Sequence, residues 1–258
     1  MKVYRFPEGG EVHDFKGHRQ MVHGFDYSPD GRTLASGSFF SSNPRLILRD
    51  AASGREIWKT AEHDNSIVMV RFTRDGQRLI SSDLDKNLHV RDPRTGEITD
   101  GYRLNIALST FEVDPTDTYV VGGGYDGGLV YRRIEDGTVT RDIKAHSRVV
   151  SDIAFSADGR YLATSSYDQT IKVWRAADGA PELLLTLHLE STPFSVAFLP
   201  GAEGEYELYS SEAFGRIKRW RLELDLDRMY SRACAPAVRD FLRNNPNVAE
   251  DERDLCNP

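Results

Sequence analysis

The chain has 258 residues, 39% hydrophobic and 28% charged, with a formal net charge of −7. Its 33 basic residues are scattered singly among 40 acidic ones, which argues against nucleic acid as a partner, because that needs a basic stripe. The length is enough to bury about three quarters of the extended surface and suits one large all-β domain better than two domains.

The opening Met1-Lys2-Val3-Tyr4-Arg5 lacks the apolar run of a secretory signal. No stretch approaches the roughly 18 apolar residues of a membrane span, so no membrane partner is expected, and with only two cysteines a reducing cytoplasm is the expected location. Lys2–Phe6 and Val12–Phe15 read as two strands joined at Gly9-Gly10. After His18 one pattern recurs about every 41 to 45 residues. It runs as an alternating apolar strand, an Asp-Gly-type turn, a second strand ending in small residues, an Asp turn, and a third strand. Asp and Gly suit the turns because both tolerate the positive φ of a tight hairpin. The first-turn aspartates fall at Asp30, Asp75, Asp117 and Asp158, spaced by 45, 42 and 41 residues, and Pro200-Gly201 continues the series. Gly54, Gly96, Gly137 and Gly179 mark turns into a fourth strand, and the last unit closes with its third strand at Arg216–Trp220. Twenty-one strands result.

That spacing matches the roughly 40–45 residues of one four-stranded propeller blade. Such units bury their faces only against their neighbours, so the functional body is a ring. Two arrangements fit the strand count. In one, the N-terminal strand four completes the last blade of a closed five-bladed ring. In the other, the chain is part of a six- or seven-bladed propeller completed by a second chain, since soluble proteins avoid long unpaired edges.

The best copy runs from Ala145-His146 to Trp174. Here the chain resembles the WD40-repeat family, over roughly residues 2–222. The resemblance implies a hydrogen-bonded tetrad of His146, Ser166, Asp168 and Trp174, and those residue types make physical sense: a buried indole, imidazole and hydroxyl need partners, and a carboxylate supplies acceptors. Other copies depart from the pattern. Arg49, Arg91 and Arg132 stand at the Trp position, while Glu212 and Phe214 replace the Ser and the Asp of the last copy. A buried guanidinium needs a partner, so Arg91 is expected to pair with Asp83 or Asp85, and Arg132 with Asp126.

The tail, 223–258, differs in kind. Leu226, Met229 or Tyr230, Ala233, Ala237 and Phe241 recur at helical spacing, with Asp225 or Asp227 as a cap and Pro236 splitting the segment. A short helical tail packing on a 1–222 propeller is expected. Cys234 and Cys256 are too few for a disulfide framework and lack Cys-x-x-Cys spacing, so they read as small buried residues or a close pair. The tail is similar to the closing segment of bacterial WD-repeat regions. Those accompany ATPase, caspase-like or kinase domains, which implies as an alternative the sensing or autoinhibitory portion of a larger bacterial signalling assembly.

Chemical motifs are weak. Gly122–Gly127 spells G-x-G-x-x-G, but the repeat puts it in a hairpin, whereas a dinucleotide site needs a following helix. Asp83-x-Asp85-x-Asn87 has Leu88 where a calcium loop bends through Gly. No histidines or cysteines stand at metal-ligand spacing, and no nucleophile elbow is present. No catalytic residue, cofactor or metal is therefore expected. The WD40 resemblance implies a protein-interaction scaffold that binds a peptide or protein on the face around the central channel. Carried over by position, the rim residues are Met21, His23, Phe39, Phe40, Val68 and Leu84 on the first two units. On the others they are Ser109, Tyr125, Ser151, Tyr167 and Phe194. Aromatic and apolar types dominate this set, as they do at interface hot spots.

Overall fold

The computed structural model describes residues 2–4, 11–14, 16–18, 20–39, 45–61, 63, 65–176, 181–200 and 206–224. Among them are twenty-one strands and one short 3₁₀ turn. β1 (Lys2–Tyr4) and β2 (Glu11–Asp14) pair with each other as a separate hairpin. Four antiparallel four-stranded sheets follow, each built from consecutive strands. The first holds β3 (Val22–Tyr27), β4 (Thr33–Ser38), β5 (Leu46–Asp50) and β6 (Glu56–Thr60). The second holds β7 (Ile67–Phe72), β8 (Leu79–Asp83), β9 (Asn87–Arg91) and β10 (Ile98–Arg103). The third holds β11 (Leu108–Val113), β12 (Tyr119–Gly124), β13 (Gly128–Arg133) and β14 (Val139–Lys144). The fourth holds β15 (Val150–Phe155), β16 (Tyr161–Ser166), β17 (Thr170–Arg175) and β18 (Glu182–His188). A three-stranded sheet of β19 (Pro193–Pro200), β20 (Tyr206–Glu212) and β21 (Arg216–Leu222) ends the series.

The sheets stack as blades of a WD40-type β-propeller. Their first strands touch in chain order, β3 with β7, β7 with β11, β11 with β15, and β15 with β19. The second strands are buried almost throughout and the fourth strands are mostly open, so each blade runs from a packed interior to a wet outer edge. Apolar clusters span neighbouring blades: Ile80, Leu88 and Val90 pack with Phe111 and Val130. Blade faces therefore bury only against the next blade, as the repeat requires. Among the described residues β2 pairs only with β1, so the version in which β2 completes the last blade is not realised. Apart from Glu223 and Leu224, the tail lies outside the described residues, as do Phe40, Cys234 and Cys256.

The first turns are held by an Asp and a hydroxyl. Ser28 donates to Asp30 at 2.7 Å and Thr73 to Asp75 at 2.6 Å, and these bonds hold both carboxyls below the usual range. Gly31, Gly76 and Gly159 follow with φ of 69°, 67° and 72°. In the third blade the register shifts by one. Thr116 takes the aspartate's place, and Asp117 takes the glycine's, with φ of 58°. Its carboxylate accepts the main-chain N–H groups of Arg74 and Asp75 at 2.7 and 2.9 Å, locking that turn to the preceding blade. The G-x-G-x-x-G string falls on β12 and its hairpin to β13, with no helix after it.

The tetrad exists, but with a different hydroxyl. His146 Nε2 meets Thr164 Oγ1 at 2.8 Å, and Trp174 Nε1 donates to the same oxygen at 3.0 Å. His146 Nδ1 faces Asp168 at 3.1 Å. Ser166, expected in this place, instead donates to the Arg148 carbonyl at 3.2 Å and accepts the Asp168 N–H at 3.1 Å. It sits at the strand end, where it caps the turn, whereas Thr164 lies two residues deeper, level with the indole. Burial pushes the Asp168 carboxyl up, but bonds from Thr170 and the Ser147 N–H, with His146 beside it, hold it down at about 2. In the second blade Asp83 meets His63 Nδ1 at 3.0 Å, and Ser81 meets Nε2 at 2.8 Å. There the acid has moved two residues back along the chain while the network keeps its shape.

The arginines at the Trp position do not pair as expected. Among the described contacts Arg91 Nη1 donates to the Gly96 carbonyl at 2.9 Å, in place of the expected carboxylate. Arg132 likewise leaves Asp126 and donates to the carbonyls of Gly137 and Arg103. Its guanidinium also lies over the Tyr102 ring, 5.6 Å from the centroid. Arg49 donates to the Lys16 carbonyl and to Ser36. The Gly96 and Gly137 acceptors are turn carbonyls brought within reach by a bulge between the third and fourth strands at this point. Gly96 and Gly137, with φ of 80° and 68°, also seat an aromatic ring of the preceding blade. A Cβ on them would come 2.9 Å from Trp58 and 2.2 Å from Tyr102. Arg91 and Arg132 therefore replace the indole by pinning their own turns under the neighbour's ring.

Candidate functional site

One irregularity recurs in all five blades and explains where the rim residues point. The pairing of the first and second strands shifts between Val22 and Gly24, Ile67 and Met69, Leu108 and Thr110, Val150 and Asp152, and Pro193 and Ser195. The extra residue of each bulge is His23, Val68, Ser109, Ser151 or Phe194, the strand-one members of the expected rim. A bulge re-aims its side chain out of the pleat. Three of these side chains reach the next blade. His23 Nδ1 meets the Val68 carbonyl at 2.8 Å, Ser109 donates to the Val150 carbonyl at 2.6 Å, and Ser151 donates to the Pro193 carbonyl at 2.8 Å. Val68 is fully buried, whereas Phe194 is 50% exposed.

The remaining rim positions precede each second turn. Phe39, Leu84, Tyr125, Tyr167 and Ala213 each donate their main-chain N–H to the residue just before the first strand of their own blade. These bonds run to Met21, Ser66, Ala107, Val149 and Thr192, which gathers one band around the ring. Along it Met21, Tyr125 and Tyr167 are exposed, Leu84 is half-buried, and Phe39 is buried against the His23 ring, 5.0 Å between centroids. Tyr167 meets Phe194 edge-on at 6.2 Å, and Tyr125 lies close enough to Tyr167 for its phenol to feel it, though burial is the larger cause of its upward shift. The open part of the rim is thus Tyr125, Tyr167 and Phe194 on three consecutive blades, with Met21 on the first.

Two groups escaped the sequence reading. Phe214 is 93% exposed at φ 65°, in the slot where the fourth blade carries Asp168, and Ile217 beside it is 75% exposed. A bulky residue at positive φ is strained, and strain of this kind clusters at functional surfaces. The signal was an aromatic replacing a turn acid. The second group lies on the first strands of the blades. Arg71 Nε meets Glu112 at 2.8 Å, Asp26 accepts the Phe72 N–H at 2.8 Å, and Asp152 accepts the Val196 N–H at 3.1 Å. Arg71, Glu112 and Asp152 border a cavity of about 340 Å³. Burial raises the carboxyl of Asp26, and it pushes that of Asp152 up to about 6. Charged residues inside otherwise apolar first strands were the available clue. Among the described residues no group of three or more His, Cys, Asp or Glu side chains is placed to hold a metal ion. No helix there is long and apolar enough to cross a membrane.

The comparisons agree with this architecture. The profile of the family described as "WD domain, G-beta repeat" matches residues 9–43 and 137–175. The chain is 27% identical to "Protein hir1" of Schizosaccharomyces pombe over 231 residues, 77% of this chain and 24% of that protein. It is 28% identical to "Apoptotic protease-activating factor 1" of Mus musculus over 176 residues, covering 66% and 13% of the two chains. It is also 28% identical to "Autophagy-related protein 16" of Arabidopsis thaliana over 152 residues, covering 57% and 29%. The chain thus spans less than a third of the length of these relatives. Together the repeat matches and the five stacked blades support the WD40-repeat reading of this chain.

Proposed function

We propose that this chain is a non-enzymatic interaction platform that captures a peptide or protein on its bulged rim. One observation carries the reading: Tyr125, Tyr167 and Phe194 stand open side by side on three blades, whereas Phe39, at the position of Tyr125 and Tyr167, and Val68, at the position of Phe194, are buried. Tyr and Phe offer large contact area at low conformational cost, and a contiguous exposed apolar patch marks a partner site more often than it marks chance. Phe214 and Ile217 extend the apolar surface on the last blade. The carboxylates found on the first strands are each engaged with a main-chain N–H or an arginine, which favours a structural duty over acid–base catalysis.

The test is the double variant Tyr125→Ala with Tyr167→Ala, used as bait beside the wild type in lysate of the native cells. The expected result is loss of the captured protein with a melting midpoint unchanged within about 2 °C, because both side chains are surface groups. Undiminished capture removes these two residues from the site. A second reading, a sensing or autoinhibitory part of a larger assembly, is favoured by the small share of each relative that the chain spans. It predicts a stable complex with a second polypeptide, seen as added mass in solution.

A further inference from the structure

Away from the rim, at the end of the blades where the first turns lie, a cleft of about 270 Å³ opens between the third and fourth blades. Tyr131 of β13 helps to line it, 3% exposed, and its hydroxyl has no hydrogen-bond partner among the described residues. In the first, second and fourth blades the matching residue, one before Arg49, Arg91 or Trp174, is Leu48, Val90 or Val173, all buried and apolar. Packing at this position therefore asks only for a hydrocarbon. A phenol there leaves a buried O–H unmade, which costs free energy that Phe would avoid. An orphaned polar group in a cleft wall is accounted for if something else completes it.

The surroundings define what would. Asp114 and Asp158 border the cleft, but both carboxylates are occupied. Asp114 accepts from Thr116 and from the N–H groups of Thr118 and Tyr119. Asp158 accepts from Ser156, the Arg160 N–H and the Tyr206 hydroxyl. Burial, with Asp114 close by, pushes the Tyr131 phenol up, so it stays protonated and can donate. Arg74 reaches over from the second blade, its Nη1 only 3.5 Å from the Ala157 carbonyl, and adds a second donor at the mouth. Pro115, Phe155 and Ala157 supply apolar walls. One unpaired phenol O–H, engaged carboxylates and nearby negative charge favour a neutral acceptor over an anion.

We propose that this cleft is a second docking site, in which Tyr131 and Arg74 receive an amide carbonyl presented by a partner polypeptide between the Asp114 and Asp158 turns. Its volume admits one side chain or a peptide unit and is too small for a nucleotide cofactor. The site is independent of the rim and can fail without it.

The probe is 2-pyrrolidinone, a neutral cyclic amide, titrated into the full chain and followed by amide NMR shifts, with acetate as the anionic control. Saturable shifts are expected at Thr116, Gly159 and Ala176, with acetate at least about tenfold weaker. Tyr131→Phe is expected to weaken the amide by about tenfold and to raise the melting midpoint by roughly 2 °C, since it removes an unpaired hydroxyl. Equal binding of the amide to Tyr131→Phe, equal binding of acetate, or no saturation with the wild type overturns the proposal. So does a lower melting midpoint for Tyr131→Phe, which would mean that an internal water already completes the hydroxyl.

Discussion

Asp152→Asn is expected to raise the melting midpoint by roughly 4–8 °C at pH 7.5 and to change it little at pH 4. Asp152 sits on the inner strand of the fourth blade, where burial pushes its carboxyl from 3.8 up to about 6. The N–H groups of Val196 and Ile153 and the charge of Arg71 oppose that shift, and Glu112 reinforces it. The sign follows from linkage. A carboxyl with a raised folded pKa binds its proton more tightly when folded, so the ionised group weakens the fold above about pH 6. That penalty fades as pH falls from 6 towards 4, where the folded group is protonated and the unfolded one is following. Asparagine keeps an oxygen for the Val196 N–H but carries no charge, so about 2 kcal/mol should be regained at neutral pH and almost none in acid. Melting curves of both proteins between pH 4 and 8 decide the matter. Parallel profiles would mean that the Asp152 charge is already compensated by Arg71.

Thr164→Val is expected to destabilise the chain by about 2–4 kcal/mol, several times more than Ser166→Ala. The threonine oxygen is the meeting point of His146 Nε2 and the Trp174 indole N–H, both deeply buried. Valine is nearly isosteric, so little cavity opens, and two polar groups are left unmade in the seam between the third and fourth blades. Ser166 is itself buried, but its partners, the Arg148 carbonyl and the Asp168 N–H, belong to residues that reach the surface, so its loss costs about 1 kcal/mol. Denaturant midpoints for the two variants, compared at equal m-values, measure the difference. Equal losses would return Ser166 to the centre of the network.

The contrast between these two hydroxyls shows what the sequence could and could not convey. Turn spacing was legible because a hairpin demands particular backbone angles, and Asp, Gly and Ser announce them at Asp30, Asp75 and Asp158. The blades and their strand count followed. The third blade misled by one position because Asp117 adopts the left-handed conformation that Gly takes elsewhere. Arg91 and Arg132 were assigned carboxylate partners because carboxylates are visible in a sequence, whereas their actual acceptors are carbonyls that only the folded turns bring near. Ser166 was preferred to Thr164 because the end of a strand is easier to locate than the level at which an indole crosses it. The rim positions could be placed by counting from each turn. That His23, Ser109 and Ser151 would tie blade to blade, with Phe39 and Val68 buried, depended on the recurring bulge, which leaves no composition signature.

Capture at the rim is tested most directly by site-specific photo-crosslinking inside the native cell. A benzophenone amino acid is placed in turn at Tyr167, at Phe194 and, as a control, at Val139 on an outer strand, which is also exposed. One shared polypeptide adduct is expected from positions 167 and 194 and none from 139. An adduct from 139 alone, or silence at both rim positions while the protein still pulls down its partner, would contradict it.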